Sequence, residues 1–298
     1  MSSIYMDRAS LFNRIIMQLA FSIHQPVHVG AELEGTLKKF VRIYVDGKPM
    51  IYIPSESIKG VFRSIYTRIA KAYANKLVED VVKKAITIHS KDTHTPLEKE
   101  REELLKTARN WIISDIKFTS HSRIGELSND EIIDMYMSYH CPICSLFGSR
   151  NLTSKIIFED GTFKYEPKID IYTFTSIERE KRIVKEGHLY RLEYIAPDPN
   201  NRLYIKAIIN NLAINSLENE ILKQLLLYIK INGLTIGGSK SRGYGKLKLD
   251  EKESKIIYMQ FKTSPKTIDE AISNINQLLQ REGYIKILTI DEYLASKV

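Results

Sequence analysis

Apolar residues recur along this chain with the two periods of regular secondary structure. Residues 13–23 form an Ile-rich run that ends in polar residues before Pro26, and this pattern predicts a buried first strand. Residues 202–209 alternate apolar and polar side chains, which predicts another strand with one buried face. Apolar positions within 58–69 and 217–231 recur every three or four residues and predict two amphipathic helices.

The segment after the first strand predicts a short hairpin. Residues 24–48 are irregular and mixed in charge, apart from a strand predicted at 41–45. A second strand is predicted at 50–53, and the turn signal Asp46-Gly47 joins the two.

A longer hairpin is predicted in the second half of the chain, after a short strand at 154–160. Its arms are residues 169–177 and 188–195, and its tip, residues 178–187, is charged. The charged side chains of such a tip cannot be buried within the hairpin, so we expect the tip to contact a partner strand or a nucleic acid. The alternative is a mobile surface hairpin.

The two strand–helix–strand units, one early and one late, predict an α+β fold in a single domain over residues 1–298. We expect an antiparallel sheet with helices on one face, as in ferredoxin-like or RRM-like (RNA-recognition-motif) domains. Three additions are predicted: an inserted helical lobe at about 70–140, the hairpin at about 169–195, and a C-terminal extension at about 255–298 with a helix at 267–281. The usual aromatic pair of an RNA-recognition sheet is not apparent, which favours binding through loops and cations.

The charge of the chain favours a polyanionic partner. Its 298 residues carry 44 Lys and Arg against 36 Asp and Glu, a net charge of +8. No window approaches the ~20 apolar residues of a membrane span, so we expect a cytoplasmic protein with no membrane role. Two cysteines cannot supply a disulfide framework.

Residues 233–247, GLTIGGSKSRGYGKL, are the stretch that most strongly suggests a ligand. Glycine allows close approach of backbone N–H groups to a ligand, while Lys240 and Arg242 add charge and Ser239 and Ser241 add hydroxyl groups. The segment predicts a phosphate-binding loop between a helix and a strand; the alternative is a long turn with solvated charges. Five of the fourteen glycines lie in it: Gly233, Gly237, Gly238, Gly243 and Gly245.

A second cationic site is predicted at the start of the helix that follows Pro54. Ser55 or Ser57 can cap this helix, and Lys59 and Arg63 lie on one exposed strip near its positive end. Such a terminus binds phosphate readily. The alternative is an ordinary capped amphipathic helix with two solvated cations.

The only two cysteines, Cys141 and Cys144, form a Cys-Pro-x-Cys turn. This spacing allows both thiolates to bind one structural Zn²⁺, which needs four ligands. The alternative is a reduced structural pair beside an apolar segment. The histidines that could complete a zinc site are His140, His121, His94 and His89.

Taken together, these segments resemble a known family. The chain is similar to the RAMP superfamily, and most of all to the RNA-binding backbone subunit of type III CRISPR effector complexes, over about residues 28–249. The resemblance rests on an ordered set of segments: HVG (28–30), YIPSESIKGVFRS (52–64), CPICSLFGS (141–149), SKIIFED (154–160), TSIEREKRIVKEGHLYRLEYI (175–195) and GGSKSRGYGKL (237–247).

The resemblance implies a modified RNA-recognition motif that stacks with other RAMP subunits along a guide RNA and presents the target RNA. The long hairpin would be a thumb that inserts across the guide–target duplex. The residues that the resemblance and the charge pattern assign to RNA are Ser55, Ser57, Lys59, Arg63, Arg179, Lys181, Arg182, Gly238, Lys240, Ser241 and Arg242.

One departure concerns cleavage of the target. Active members carry an Asp in the loop after the first strand, and the matching place here falls near Leu37 and Lys38. The carboxylates nearby, which could act with Mg²⁺ or Mn²⁺, are Glu32, Glu34 and Asp46. We expect a binding subunit. The alternative is a RAMP endoribonuclease that cuts target RNA or processes precursor guide RNA, for which His24 and His28 are candidates.

Overall fold

The computed structural model describes residues 11–77, 80–91, 93–115, 127–177, 184–260 and 284–296, together with residues 269, 272 and 273. The helix predicted at 267–281 therefore falls almost wholly outside the described residues. Among the described residues, no helix combines the length and the apolar content that crossing a membrane requires.

The described strands and helices are as follows. The strands are β1 Asn13–Ile23, β2 Gly30–Glu34, β3 Leu37–Phe40, β4 Arg42–Val45, β5 Lys48–Ile51, β6 His89–Ser90, β7 Thr93–His94, β8 Ile156–Phe158, β9 Thr162–Phe163, β10 Ile169–Ile177, β11 Val184–Ile195, β12 Asp198–Asn210, β13 Leu234–Thr235, β14 Lys246–Gln260 and β15 Tyr284–Leu288. The helices are α1 Ser55–Ala74, α2 Val81–Ile88, α3 Glu98–Asp115, α4 Asn129–His140, α5 Pro142–Phe147, α6 Leu217–Asn232 and α7 Ile290–Ala295.

The central sheet is antiparallel and has the order β13-β14-β1-β12-β8, with β15 beside β14 and β9 beside β12. Along the chain its main elements run β1, α1, β8, β12, α6 and β14. This is the strand–helix–strand–strand–helix–strand order of the ferredoxin-like fold, so the predicted fold class is confirmed. Strand β14 extends from Lys246 to Gln260, and Ser254 bridges the irregularity in its pairing with β1 by accepting a hydrogen bond from the Ala20 N–H.

Helices α1 and α6 form the layer on the sheet. Alternate side chains of β1 and β12 point toward them, because successive residues of a strand face opposite sides. The Tyr66 hydroxyl donates to the Glu218 carbonyl and ties the two helices at 3.1 Å. The fully buried side chains at this interface include Ile15, Met17, Leu19, Leu203, Ile205, Ile209, Ile58, Phe62, Ile221, Leu225 and Ile229.

The long hairpin, β10–β11, belongs to a second sheet of order β10-β11-β3-β2. Strand β3 runs parallel to β11, with Lys38 beside Leu192. Residues 24–48 were expected to be irregular outside 41–45, and strands β2 and β3 correct this. Their polar sequence gives no strand period, and their hydrogen-bond partners come from pairing of β2 with β3 and of β3 with β11. The short hairpin β4–β5 agrees with the prediction, since Asp46 (φ 50°) and Gly47 (φ 74°) form its turn.

Helices α2 to α5 and the β6–β7 hairpin follow α1 and precede β8 in the sequence, and they pack together. Helix α4 begins with a capping box, in which Ser128 and Glu131 satisfy each other's backbone N–H groups. Trp111 of α3 packs against Tyr136 of α4, with ring centres 5.4 Å apart.

Candidate functional site

The glycine-rich loop between α6 and β14 is fastened to the segment that follows β1. The Gly238 N–H donates to the His28 carbonyl at 2.9 Å, and the Gly245 N–H donates to the Pro26 carbonyl at 2.7 Å. Across the loop, the Ile236 N–H donates to the Gly245 carbonyl at 3.0 Å. Some glycine N–H groups expected to face a ligand, that of Gly238 among them, therefore hold the loop in place.

Three of the loop glycines are required by close approach of the backbone. Gly233 has φ +70°, and a Cβ there would lie 2.2 Å from the Leu247 carbonyl oxygen. Gly237 has φ +83°, and a Cβ there would lie 2.1 Å from the His28 carbonyl oxygen. Gly245 has φ +87°, and its Cβ would lie 2.0 Å from the Ile236 carbonyl oxygen. Gly243 has the same φ as Gly237, but its Cβ would meet nothing within 4 Å. The loop thus has a tightly fitted base and an open tip.

The tip of the loop carries the predicted cations into solvent. Lys240–Arg242 form a short 3-10 turn, and each of these three residues is exposed. The Arg242 guanidinium donates to the Tyr190 hydroxyl and lies 5.1 Å from the centre of the Phe174 ring. The fold therefore brings the loop tip and the long hairpin together.

Aromatic side chains line the hairpin face next to the loop tip. The Phe174 and Tyr190 rings stack with centres 5.1 Å apart and planes 16° apart, and Tyr172 packs 4.8 Å from Phe174. From the loop, Tyr244 packs on Phe174 and Tyr194. These residues were not among the predicted site residues. The available signal was aromatic residues an even number of positions apart, and so on one face of each strand: 172 and 174 in β10, and 190 and 194 in β11.

The start of helix α1 differs from the prediction. Pro54 occupies the N-cap position without a side-chain cap, so neither Ser55 nor Ser57 caps the helix. Instead, the Ser55 N–H donates to the carboxylate of Asp160 at 2.7 Å. A negative group therefore lies at the terminus where a phosphate was expected. No local sequence pattern links Asp160 to this helix start, because Asp160 lies 105 positions from Ser55.

The two cations of α1 lie close enough to influence each other. Burial, followed by the charge of Arg63, lowers the pKa of Lys59. Arg63 donates to the Lys91 carbonyl at 2.7 Å and so links α1 to the β6–β7 turn. The predicted cationic strip is present, but one of its members also has a structural contact.

A cluster of two histidines and two cysteines lies in the helical part of the chain. His89, His94, Cys141 and Cys144 are all buried, and their ligand atoms lie within 4.8 Å of one another. The Cys144 Sγ is 3.5 Å from His89 Nδ1 and 3.9 Å from His94 Nε2, and Cys141 Sγ is 3.8 Å from His89 Nδ1. Tetrahedral zinc with Zn–S of ~2.3 Å and Zn–N of ~2.0–2.1 Å places S and N ~3.5 Å apart. The cluster fits zinc.

A second layer of polar groups orients His94. Its Nδ1 lies 3.0 Å from a carboxylate oxygen of Asp134, and its backbone N–H donates to the same oxygen. Asn151 donates to the other oxygen of Asp134 at 2.7 Å. A carboxylate that holds one ring nitrogen directs the other toward a metal, as in many zinc sites. In contrast, His89 Nε2 is buried without a hydrogen-bond partner among the described residues.

The two thiols have different proton affinities. The hydrogen bond with Cys141, followed by burial, raises the pKa of Cys144 to about 11. Burial raises the pKa of Cys141 as well, but hydrogen bonds from Cys144 and the Ile143 backbone outweigh it and leave that pKa below its usual value. Cys141 therefore loses its proton more readily than Cys144, and zinc, which binds both sulfurs as thiolates, would release the Cys144 proton on binding.

His140 does not join this cluster, contrary to its assignment as a possible ligand. Its Nδ1 bonds to the Tyr136 carbonyl at 2.8 Å, and its ring packs on Tyr136 and Trp111. The ring is held on α4 by those contacts, while His89 and His94 face each other across the β6–β7 hairpin. The other named ligand, His121, lies outside the described residues.

The candidate catalytic carboxylates have local roles. Glu34 forms an ion pair with Lys39 across the β2–β3 turn, which lowers the pKa of Glu34. Asp46 lies in the β4–β5 turn with φ 50°. Lys38, near the position of the family's Asp, lies 5.2 Å from the centre of the Tyr190 ring. The side chain of Glu32 and the thumb-tip residues Arg179, Lys181 and Arg182 lie outside the described residues.

The histidines considered for RNA processing are placed as follows. His28 is buried beneath the glycine loop, and its Nδ1 lies 2.6 Å from the Glu193 carbonyl. Burial lowers the pKa of His28 and so favours the neutral form of its ring. His24 is exposed and contacts the Ser22 hydroxyl at 2.9 Å.

The chain matches a protein-family model. The family model described as the RAMP superfamily matches residues 20–248, which include the end of β1, the metal cluster, the long hairpin and the glycine loop. No curated protein matches the chain.

Proposed function

Because the chain belongs to the RAMP superfamily, and so has a CRISPR-associated RNA-binding role at the level of that superfamily, we propose that it is a backbone subunit of a type III effector complex. In this role it stacks with like subunits along a guide RNA and presents the target RNA. The β10–β11 hairpin acts as the thumb, through Arg179, Lys181 and Arg182 at its tip.

The observation that carries this proposal is the fastened glycine loop with its exposed cationic tip. Hydrogen bonds from Gly238 and Gly245 hold the base of the loop on the core. The loop therefore loses little conformational entropy when Lys240, Ser241 and Arg242 bind phosphates. Preorganisation of this kind increases affinity. Contacts from cations and hydroxyls to phosphate bind RNA regardless of its sequence, as a guide-binding subunit requires.

The second contact to the guide is the start of α1. Ser55, Ser57, Lys59 and Arg63 provide two hydroxyls and two cations at the positive end of a helix dipole. Asp160 opposes phosphate there, because its carboxylate already accepts from Ser55. We assign α1 the weaker contact and the loop tip the stronger one.

The metal cluster has a structural role in this proposal. Zinc held by His89, His94, Cys141 and Cys144 would have four protein ligands and no open position for a substrate, which is the character of structural sites. It would tie the β6–β7 hairpin to the α4–α5 junction. Because Arg63 donates to the Lys91 carbonyl of that hairpin, a bound metal would also restrict the movement of this α1 cation.

Salt dependence of RNA binding tests the proposal. The double variant Lys240→Ala/Arg242→Ala should bind a fluorescent single-stranded RNA more weakly, whatever its sequence. The slope of log affinity against log salt should flatten by about 1.4, because each lost phosphate contact is worth ~0.7 for a single strand.

The matched control is Arg68→Ala/Lys71→Ala, which removes one Arg and one Lys from exposed positions farther along α1. It should lower affinity slightly through net charge and leave the slope nearly unchanged. Equal slopes for the two double variants would remove the loop tip from the RNA-binding site.

A further inference from the structure

The long hairpin carries an aromatic surface that phosphate binding does not use. We propose that Tyr172, Phe174 and Tyr190, here called the aromatic platform, stack the unpaired bases of single-stranded RNA whose phosphates the loop tip holds. This inference rests on the proposed function and adds to it a site for bases.

The pairing of the two strands places these rings on one face. In β10 and β11, Phe174 lies directly opposite Tyr190, and Tyr172 lies opposite Leu192. Directly opposite residues of an antiparallel pair point to the same side of the sheet. The nearly parallel rings of Phe174 and Tyr190 and the adjoining ring of Tyr172 therefore form one continuous surface.

One end of this surface is closed and the other is open. Tyr244 of the glycine loop is only 8% exposed and packs against Phe174, so the fold covers that side. Tyr172 is 52% exposed, although its ring packs on Phe174. An aromatic ring that is held on a strand and exposed on one side can receive a base with little loss of side-chain freedom.

Cations flank the rings. Arg242 lies over Phe174, and Lys38 lies over Tyr190, at 5.1 and 5.2 Å from the ring centres. Rings for base stacking beside cations for phosphate are the combination found in proteins that bind single strands. A duplex offers no free base faces along its length, so the platform selects unpaired nucleotides.

The need to hold the glycine loop against the hairpin explains only some of these aromatic and cationic side chains. Contact with the hairpin accounts for Arg242, Tyr190 and Tyr244, whose side chains join the loop to the two strands. It does not account for Tyr172, which lies at the open end of the row. Tyr172 is therefore the residue whose removal tests stacking without loosening the loop.

The test compares Tyr172→Ala with Tyr172→Trp and with the control Tyr165→Ala. Tyr165 is a suitable control because it is 62% exposed and also lies beneath a lysine, Lys164, but belongs to another surface. The probes are a 12-nucleotide single-stranded RNA and an abasic oligomer with the same number of phosphates. Circular dichroism verifies that each variant is folded, and fluorescence anisotropy measures affinity.

We expect Tyr172→Ala to weaken binding of the RNA by about 5- to 150-fold, the effect of losing one stacked base. Tyr172→Trp and Tyr165→Ala should bind as wild type. The abasic oligomer should bind wild type and Tyr172→Ala equally, and the salt slope should stay the same because no phosphate contact is lost.

Several results would overturn the platform. If Tyr172→Ala binds the RNA as wild type does, with a normal salt slope, the stacking site is refuted while the phosphate-binding role stands. If sedimentation shows that Tyr172→Ala changes self-association and not RNA affinity, the surface binds another copy of the chain instead. If wild type binds no single-stranded RNA at all, both the platform and the proposed function fail.

Discussion

Replacement of Gly237 by alanine should displace the glycine loop from the segment that follows β1. This effect does not require Gly237 to contact RNA. The new Cβ would lie 2.1 Å from the His28 carbonyl oxygen, well inside van der Waals contact. That carbonyl accepts the Gly238 N–H, and the His28 side chain is buried. The backbone must therefore move at the point where the loop is fastened to the core.

Three effects contribute to the loss of stability. The left-handed conformation costs an alanine roughly 1–2 kcal/mol. Overpacking against backbone costs about 1–3 kcal/mol, and weakening the Gly238 hydrogen bond costs about 1 kcal/mol more. We expect the free energy of unfolding to fall by about 3–5 kcal/mol, after allowance for ~0.4–1 kcal/mol gained from a stiffer unfolded chain.

Gly243→Ala is the matched control for backbone conformation. Gly243 has the same φ of +83°, but its Cβ would have nothing within 4 Å. It should therefore incur only the conformational cost, about 1 kcal/mol. The difference between the two variants isolates the clash with His28.

Thermal unfolding and RNA binding measure the outcome. At ~2 °C per kcal/mol for a chain of this size, Gly237→Ala should lower Tm by about 6–10 °C and Gly243→Ala by about 2 °C. RNA affinity should fall in Gly237→Ala, because the displaced loop carries Lys240 and Arg242. Equal losses of Tm in the two variants would refute the view that the glycine is required by close approach of the backbone.

The remaining predictions concern the metal cluster and the start of α1. Metal analysis of the native protein should find about one zinc per chain. Cys144→Ser should lose the metal and lower Tm, whereas the control His140→Gln should retain the metal. The loss of folding free energy in Cys144→Ser is at most the ~10–16 kcal/mol measured for zinc binding by zinc-finger peptides. Folded, metal-free protein whose Tm is unaffected by Cys144→Ser would contradict this assignment. Asp160→Asn keeps an oxygen that can accept from Ser55 but removes the charge, so RNA affinity at low salt should rise about twofold, the effect of ~0.5 kcal/mol from one charge ~8 Å from a phosphate in water. Unchanged affinity would place the guide away from the start of α1.

The sequence by itself determined the features that depend on neighbours along the chain. Periodicity located β1, the long hairpin and α6, and the order of these elements led to the ferredoxin-like fold. The glycine content located the loop with its cations, and the spacing of Cys141 and Cys144 located half of the metal cluster. In each case the signal lies within one short segment, where local geometry follows from residue type.

Only the tertiary structure decided which distant groups meet. The sequence left four histidines open as partners of the cysteines. Of the three that the structure describes, the fold brings His89 and His94 to the cysteines because the β6–β7 hairpin packs against α4. Asp160, and not a nearby serine, accepts the first N–H of α1. The aromatic platform exists because the register of β10 and β11 sets Phe174 opposite Tyr190 and the glycine loop closes against them. These contacts join residues that are 16 to 105 positions apart, and their geometry depends on packing and strand register, which no local pattern of residues encodes.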